Sequence, residues 1–191
     1  MNGPLKIGIA GLGTVGGGTV RLLQQRAEAL ALNAGRAIKI VAVSARRKKA
    51  KRAVAVGRYR WVGDPLKLAA DPGIDVVVEL IGGADGVARK LCQAAIANRK
   101  HVVTANKALI AHHGTALAKA AEKAGVSFRY EAAVAGGIPV IKSLREGLAA
   151  NHIRRVYGIL NGTCNYILSA MADEGREFSD VLKECQRLGY A

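Results

Sequence analysis

The sequence predicts an α/β protein: a doubly wound parallel sheet, followed by the beginning of a second α/β (α+β) domain. Three observations carry this expectation. Short apolar, β-branched runs alternate with patterns of helical period. The runs are apolar almost throughout, as in parallel strands covered on both faces. The alternation stops near Gly136-Gly137-Ile138-Pro139, after which polar residues mix into the next strand-like stretch.

Taken in order, residues 5–10 (LKIGIA) read as a buried strand that stops at glycines. Val20, Leu23, Ala27 and Leu30 then recur at helical spacing, on one face of one helix. Residues 38–43 (IKIVAV) form the second strand. Asp64-Pro65 opens a helix, with Asp as cap and Pro at the first helical position, and Asp71-Pro72-Gly73 closes it. A third strand spans 74–81 (IDVVVELI), a helix 86–98 and a fourth strand 101–104 (HVVT). An Ala/Lys-rich helix over 115–123 ends at Gly125, and a fifth strand covers 126–130. Beyond Pro139 the pattern gives a helix over 142–150, a longer strand over 153–160, and helices over 163–172 and 179–188. The last has Ser179 as N-cap and Gly189 as its terminal glycine. One strand and three helices are too few for a sheet of their own. The boundaries are therefore 1–138 for a complete first domain and 139–191 for the start of a truncated second one.

Gly11-x-Gly13-x-x-Gly16 follows the first strand and opens a helix, the context in which this spacing means dinucleotide binding in a Rossmann-type domain. Gly11 permits the tight turn, Gly13 lets a pyrophosphate approach the backbone, and Gly16 lets helix pack on strand. The phosphates sit on free N–H groups at the positive helix end. An NAD-specific site carries an acidic residue after the second strand, on the ribose 2′-OH. Here Ser44-Ala45-Arg46-Arg47 stands there, with no carboxylate before Asp64. Arginine holds a 2′-phosphate by charge-assisted bonds, so Arg46 or Arg47 predicts NADP in preference to NAD.

Composition narrows the class. The 191 residues are 50% apolar and 23% charged, which excludes a disordered chain, and no apolar run approaches a membrane span. The first residues do not have the pattern of a secretory signal. Three widely spaced cysteines, Cys92, Cys164 and Cys185, suit neither a disulfide framework nor a zinc site, so a cytoplasmic location is expected. The net charge of +15 favours anionic ligands without naming them. Six of seven residues from Arg46 to Arg52 are basic, which also fits a nucleic-acid patch. A solvated loop and helix start is the preferred reading of 48–52, because few aromatics lie nearby.

Four segments together resemble the homoserine dehydrogenase family over nearly the whole chain. They are Gly11-Leu12-Gly13-Thr14-Val15-Gly16, Val103-Thr104-Ala105-Asn106-Lys107, Glu131-Ala132-Ala133-Val134-Ala135-Gly136-Gly137-Ile138-Pro139, and Asn161-Gly162-Thr163-Cys164-Asn165-Tyr166-Ile167-Leu168. The resemblance implies reversible oxidation of L-homoserine to L-aspartate 4-semialdehyde with NAD or NADP, in threonine, methionine and isoleucine biosynthesis. It implies that Lys107 lies between cofactor and substrate, where it holds a carboxylate or polarises a hydroxyl. It assigns Gly11, Leu12, Gly13, Thr14, Val15, Gly16 and Gly189 to the cofactor, alongside Arg46 and Arg47. Thr163 and Asn165 become substrate-binding residues, with helix capping as their other reading. Glu131 and the carbonyls of Val134, Gly136 and Ile138 become ligands of sodium or a similar monovalent cation. Glu79 either lies near the nicotinamide ribose or caps its strand. The resemblance also implies a homodimer; hydropathy speaks against a membrane partner, and the scarcity of aromatics near the basic run speaks against nucleic acid.

The family continues past Gly-Tyr with an acidic substrate-binding residue, an Asp and a second Lys taken as the proton-transfer group. The chain ends at Ala191, before these, so a cofactor-binding fragment with impaired turnover and exposed apolar faces is expected. Two other classes compete. Another NADP oxidoreductase of the same fold is one. Sugar-type dehydrogenases flank their lysine with Glu and Pro, whereas Lys107 lies between Asn106 and Ala108, and the setting of Cys164 does not match a semialdehyde dehydrogenase. A basic cofactor- or nucleic-acid-binding fragment without activity is the other, supported by charge alone.

Overall fold

A computed structural model describes residues 3–158 and 161–188 of the chain. They belong to two compact units, Met1–Gly136 and Gly137–Ala191.

In the first unit six parallel strands form one sheet: β1 (Leu5–Ala10), β2 (Ile38–Ser44), β3 (Arg60–Trp61), β4 (Val76–Glu79), β5 (His101–Thr104) and β6 (Phe128–Arg129). Their order is β3-β2-β1-β4-β5-β6. The chain builds outward from β1 on one side, then crosses back to build outward on the other. This doubly wound order places a crevice beyond the carboxyl ends of β1 and β4. The side chains alternate as the pleat requires. Ile7, Ile9, Val43, Val76 and Val78 pack in one layer, and Ala42, Val77 and Val102 pack in the other. Leu91, Leu109 and Leu117 press onto that second layer from the helices. The β1–β2 register slips between Ile7 and Gly8.

The predicted first helix is two: α1 (Thr14–Gln25) and α2 (Ala27–Ala34). The chain turns at Arg26, and no residue of α2 is buried, so only α1 is held by the core. Gly35, left-handed at φ 66°, then returns the chain into β2. Strand β3 was not foreseen, because two residues have no readable period. It is fixed from outside, by an ion pair of Arg60 with Asp71. Burial would raise the Asp71 carboxyl, but the Gly73 N–H and the Arg60 guanidinium hold it below its ordinary value. Helix α3 (Leu66–Ala70) starts where expected, with Leu66 N–H donating to Asp64 Oδ1 at 3.0 Å. Helix α4 (Val87–Ala97) follows β4. Buried Lys100 enters β5 while its Nζ donates to the carbonyls of Asp71 and Ile74 at 2.6 and 2.7 Å.

Helix α5 runs from Lys107 to Ala124, eight residues longer at its start than expected. Asn106 caps it, its Oδ1 accepting from Leu109 N–H at 3.1 Å. Leu109, Leu117 and Ala121 give the long helix one buried face.

The second unit contains α6 (Val140–Lys142), which runs into a wider turn over Ser143–Gly147, then α7 (Gly162–Glu174) and α8 (Phe178–Leu188). Ile167, Ala170, Val181 and Cys185 form its core. The helix expected over 142–150 is thus shorter and displaced. Helix α8 begins at Phe178, so Ser179 lies inside it rather than capping it. The strand expected over 153–160 is irregular over 153–158; residues 159 and 160 lie outside the described residues. A strand needs a partner edge, and among the described residues of this unit no other strand offers one.

Candidate functional site

Chain sterics dictate the turn after β1. Gly11 adopts φ 99°, and a β-carbon there would sit 2.2 Å from the Leu80 carbonyl oxygen. A β-carbon on Gly16 would sit 2.0 Å from the Gly11 carbonyl oxygen. Both positions therefore exclude any side chain. Gly13 is different: nothing lies within 4 Å of a β-carbon built there. Its missing side chain opens space rather than relieving a clash. Gly13 also precedes α1 without any side-chain cap, which leaves the first N–H groups of the helix unpartnered by side chains. Thr14 and Val15 are the first two helical residues and are exposed, and Leu12 is buried beneath the turn.

Gly11, Leu12 and Gly13 line a cleft of about 690 Å³ beyond the ends of β1, β2 and β4. Arg46, Arg47, Lys51 and Arg52 form its basic side, and Gly82 and Val87 line it from the β4 side. The helix start expected within 48–52 is absent. Arg52 bends the run into a closed loop instead, donating to the carbonyls of Arg47, Lys48 and Ala50 and lying over the Trp61 ring at 5.2 Å. Its donors replace the backbone bonds a helix would have made. The loop presents Arg46 and Arg47 at the cleft, exposed.

Glu79, at the end of β4, is completely buried. Its Oε1 accepts from Ile81 and Gly82 N–H at 2.7 and 3.1 Å, and its Oε2 from Thr104 Oγ1 at 2.6 Å. It organises the turn after β4 and ties that turn to the end of β5. Thr104 Oγ1 accepts in turn from Asn106 N–H at 3.1 Å, and Asn106 Nδ2 donates to the Gly83 carbonyl at 2.7 Å. Lys107 stands on the first residue of α5, exposed. No residue of the first turn of this helix is acidic.

Glu131 opens a 3-10 turn, Glu131–Ala133, and is half-buried. Ala135 and Gly136 follow with left-handed φ of 56° and 61°, so the carbonyls of Val134 and Gly136 leave a sharply turned backbone. Ile138 belongs to the second unit. The described residues hold no cluster of three or more His, Cys, Asp or Glu that could bind a metal; in the expected cation set Glu131 is the single side-chain donor and the others are backbone carbonyls. Thr163 and Asn165 lie on the first turn of α7. Neither caps it: Asn161 does, with Oδ1 accepting from Cys164 N–H at 3.0 Å. Gly189 lies outside the described residues. The three cysteines are free.

The sequence motifs assign no cofactor or capping role to Lys51, Arg52, Asn106 or Asn161. Both asparagines stand three residues before the N–H they cap, a spacing that could have revealed them.

Residues 11–131 match the family model described as homoserine dehydrogenase, NAD binding domain, and residues 139–191 match the one described as homoserine dehydrogenase. A homoserine dehydrogenase of Pseudomonas aeruginosa is 54% identical over 188 residues, and one of Neisseria gonorrhoeae is 50% identical. Each alignment covers 98% of this chain and 43% of the relative. The crystal structure of a homoserine dehydrogenase from Thiobacillus denitrificans, 52% identical, superposes with a TM-score of 0.91 over 100% of this chain and 44% of that one. The chain therefore spans about two-fifths of the length of the relatives it matches. Among the described residues no helix is long and apolar enough to cross a membrane.

Proposed function

The chain belongs to the homoserine dehydrogenase family, and on that premise we propose that it forms the nicotinamide-nucleotide half of an enzyme interconverting L-homoserine and L-aspartate 4-semialdehyde. The observation that carries this is the cleft beyond β1, β2 and β4, where an open Gly13 and an uncapped helix start face a rim of arginines. The pyrophosphate takes the N–H groups of Thr14 and Val15. Arg46 and Arg47 take a ribose 2′-phosphate, which makes NADP the better cofactor and NAD the poorer one.

A nicotinamide held there would supply the hydride acceptor for the carbinol carbon of homoserine, with the hydroxyl proton released to water. Lys107 binds the substrate carboxylate or polarises the hydroxyl. A lysine on the first residue of a helix faces the positive end of the helix dipole, which disfavours it by about 0.3–1 kcal/mol. A bound carboxylate offsets that penalty and takes up the free N–H groups beside it. Thr163 and Asn165, on the first turn of α7, bind substrate polar groups. Glu131, with the carbonyls of Val134 and Gly136, is an all-oxygen donor set of the kind that suits a hard monovalent cation such as sodium. The left-handed Ala135, a strained conformation for a residue with a β-carbon, supports this reading. The reaction belongs to threonine, methionine and isoleucine formation in the cytoplasm. Exposed Tyr157, Leu168 and Val156 support self-association, and light scattering should find particles larger than one chain.

The test is titration of the 191-residue chain with NADPH and NADH, followed by homoserine-dependent reduction of NADP. Binding with turnover establishes the whole reading. Binding without turnover keeps the nucleotide site and places proton transfer outside these residues. Failure to bind either nucleotide overturns it.

A further inference from the structure

Helices α4 and α5 leave a groove of about 440 Å³ between them that shares no lining residue with the nucleotide cleft. Ala116, Ala120 and Ala124 recur every four residues along α5, so they lie on one face and keep the floor open, with Ile96 and Leu117 beneath. The rim is basic. Arg89 and Arg99 stand on the α4 side, and His113 and Lys123 on the α5 side. Asp85 is matched already, by Arg89 at 3.2 Å and His113 at 2.9 Å. Arg99 and Lys123 have no ion pair among the described residues.

Arg99 carries a second, independent signal. It follows the end of α4 with a left-handed φ of 54°, the place where glycine is the default. Its N–H donates to the Ile96 carbonyl and that of Lys100 to the Ala95 carbonyl, both at 2.9 Å, closing the helix. Glycine would close it equally well and without strain, whereas arginine places a guanidinium on the groove rim. Arg99 also lines a second cleft, with Arg36 and Lys100.

We propose that this groove binds an acidic amphipathic helix of another protein. Its apolar side chains rest on the alanine floor, and its carboxylates meet Arg99 and Lys123. The dimensions suit a helix: α4 has 11 residues, roughly 16 Å of length, and a groove between helices receives anchors at helical spacing. A nucleic acid is disfavoured because no Phe, Tyr or Trp lines the groove for base stacking and its one ring, His113, is engaged by Asp85. A second copy of the chain is disfavoured by charge. Of the 29 basic and 14 acidic residues, 22 and eight lie before Gly137, so the first unit carries +14 and copies repel through it.

The test is fluorescence anisotropy with a labelled 18-residue helical peptide, leucines on one face flanked by glutamates, against its lysine counterpart and a single-stranded oligonucleotide. The acidic peptide should bind saturably and more weakly as salt rises, and the lysine peptide should not bind. R99G should weaken binding at least roughly fivefold while leaving the melting temperature equal or higher, because glycine relieves the left-handed strain. A120L, which fills the exposed floor, should weaken it as well. Equal binding by R99G and A120L would overturn the proposal. So would an oligonucleotide that binds more tightly with the same Arg99 dependence, or a self-associated state that either variant dissolves.

Discussion

Thr104 donates a 2.6 Å hydrogen bond to Glu79, and both side chains are completely buried at the ends of neighbouring strands. With the N–H groups of Ile81 and Gly82 on its other oxygen, the Glu79 carboxylate has three donors while fully buried. A buried carboxylate is tolerable only when so satisfied. The pairing locks the turn after β4 to the end of β5, the two segments that flank Lys107 and one side of the nucleotide cleft.

Replacing Thr104 with valine keeps the shape and removes the donor. It strands Glu79 Oε2 and takes the acceptor from Asn106 N–H. The expected cost is about 1–3 kcal/mol for the unpaired carboxylate oxygen, read from urea unfolding. Nucleotide affinity should fall with it.

The three glycines of the turn should separate by experiment. Gly11→Ala and Gly16→Ala force a β-carbon into a backbone carbonyl and should each cost at least about 2 kcal/mol, with loss of nucleotide binding. Gly13→Ala meets no atom and should melt like the parent chain. It should nonetheless weaken NADPH roughly tenfold by obstructing the pyrophosphate. Thermal melts paired with fluorescence titrations check both halves.

Arg46→Ala and Arg47→Ala test the 2′-phosphate assignment. Loss of a charge-assisted bond, about 1.5–3 kcal/mol, should weaken NADPH by roughly tenfold to a hundredfold. NADH, which has no phosphate there, should change by less than about threefold on the same scale. Equal losses for the two nucleotides would remove these arginines from the site.

Cys92 lies on the buried face of α4, and burial, reinforced by the nearby Glu79 charge, pushes its thiol up to about 12. Between its unfolded value near 9 and about 12, the unfolded chain releases a proton that the folded chain keeps. Stability should therefore fall as pH rises through this window. Cys92→Ala should flatten that part of the pH–stability curve. Exposed Cys164 should react with a thiol reagent at pH 8 while Cys92 stays unmodified until the chain unfolds.

Much of this architecture is legible from residues close in sequence. The strand from Leu5 to Ala10 and the glycines after it are local demands, and their steric reason is the one the spacing implies. The start of α5 escaped because Asn106 signals it by a side-chain bond rather than by apolar period, while Gly114 and paired histidines dilute the pattern around it. A loop over 48–52 is legible, but its closure in place of a helix start is not, because Arg52 folds back on carbonyls of its own run and stacks on Trp61, nine residues away. Glu79 comes from one segment and Thr104 and Asn106 from another, and no spacing rule joins the two before the sheet does. In the second unit the strand pattern over 153–158 was present, but a pattern without a pairing edge does not make a strand.

The bond from Asn106 Nδ2 to the Gly83 carbonyl has a mechanical consequence. Asn106 is at once the cap of α5 and the clasp on the glycine loop beyond β4. That loop and the root of Lys107 are thereby geared together. One side chain thus fixes both the β4 wall of the cleft and the starting point of the helix that carries Lys107.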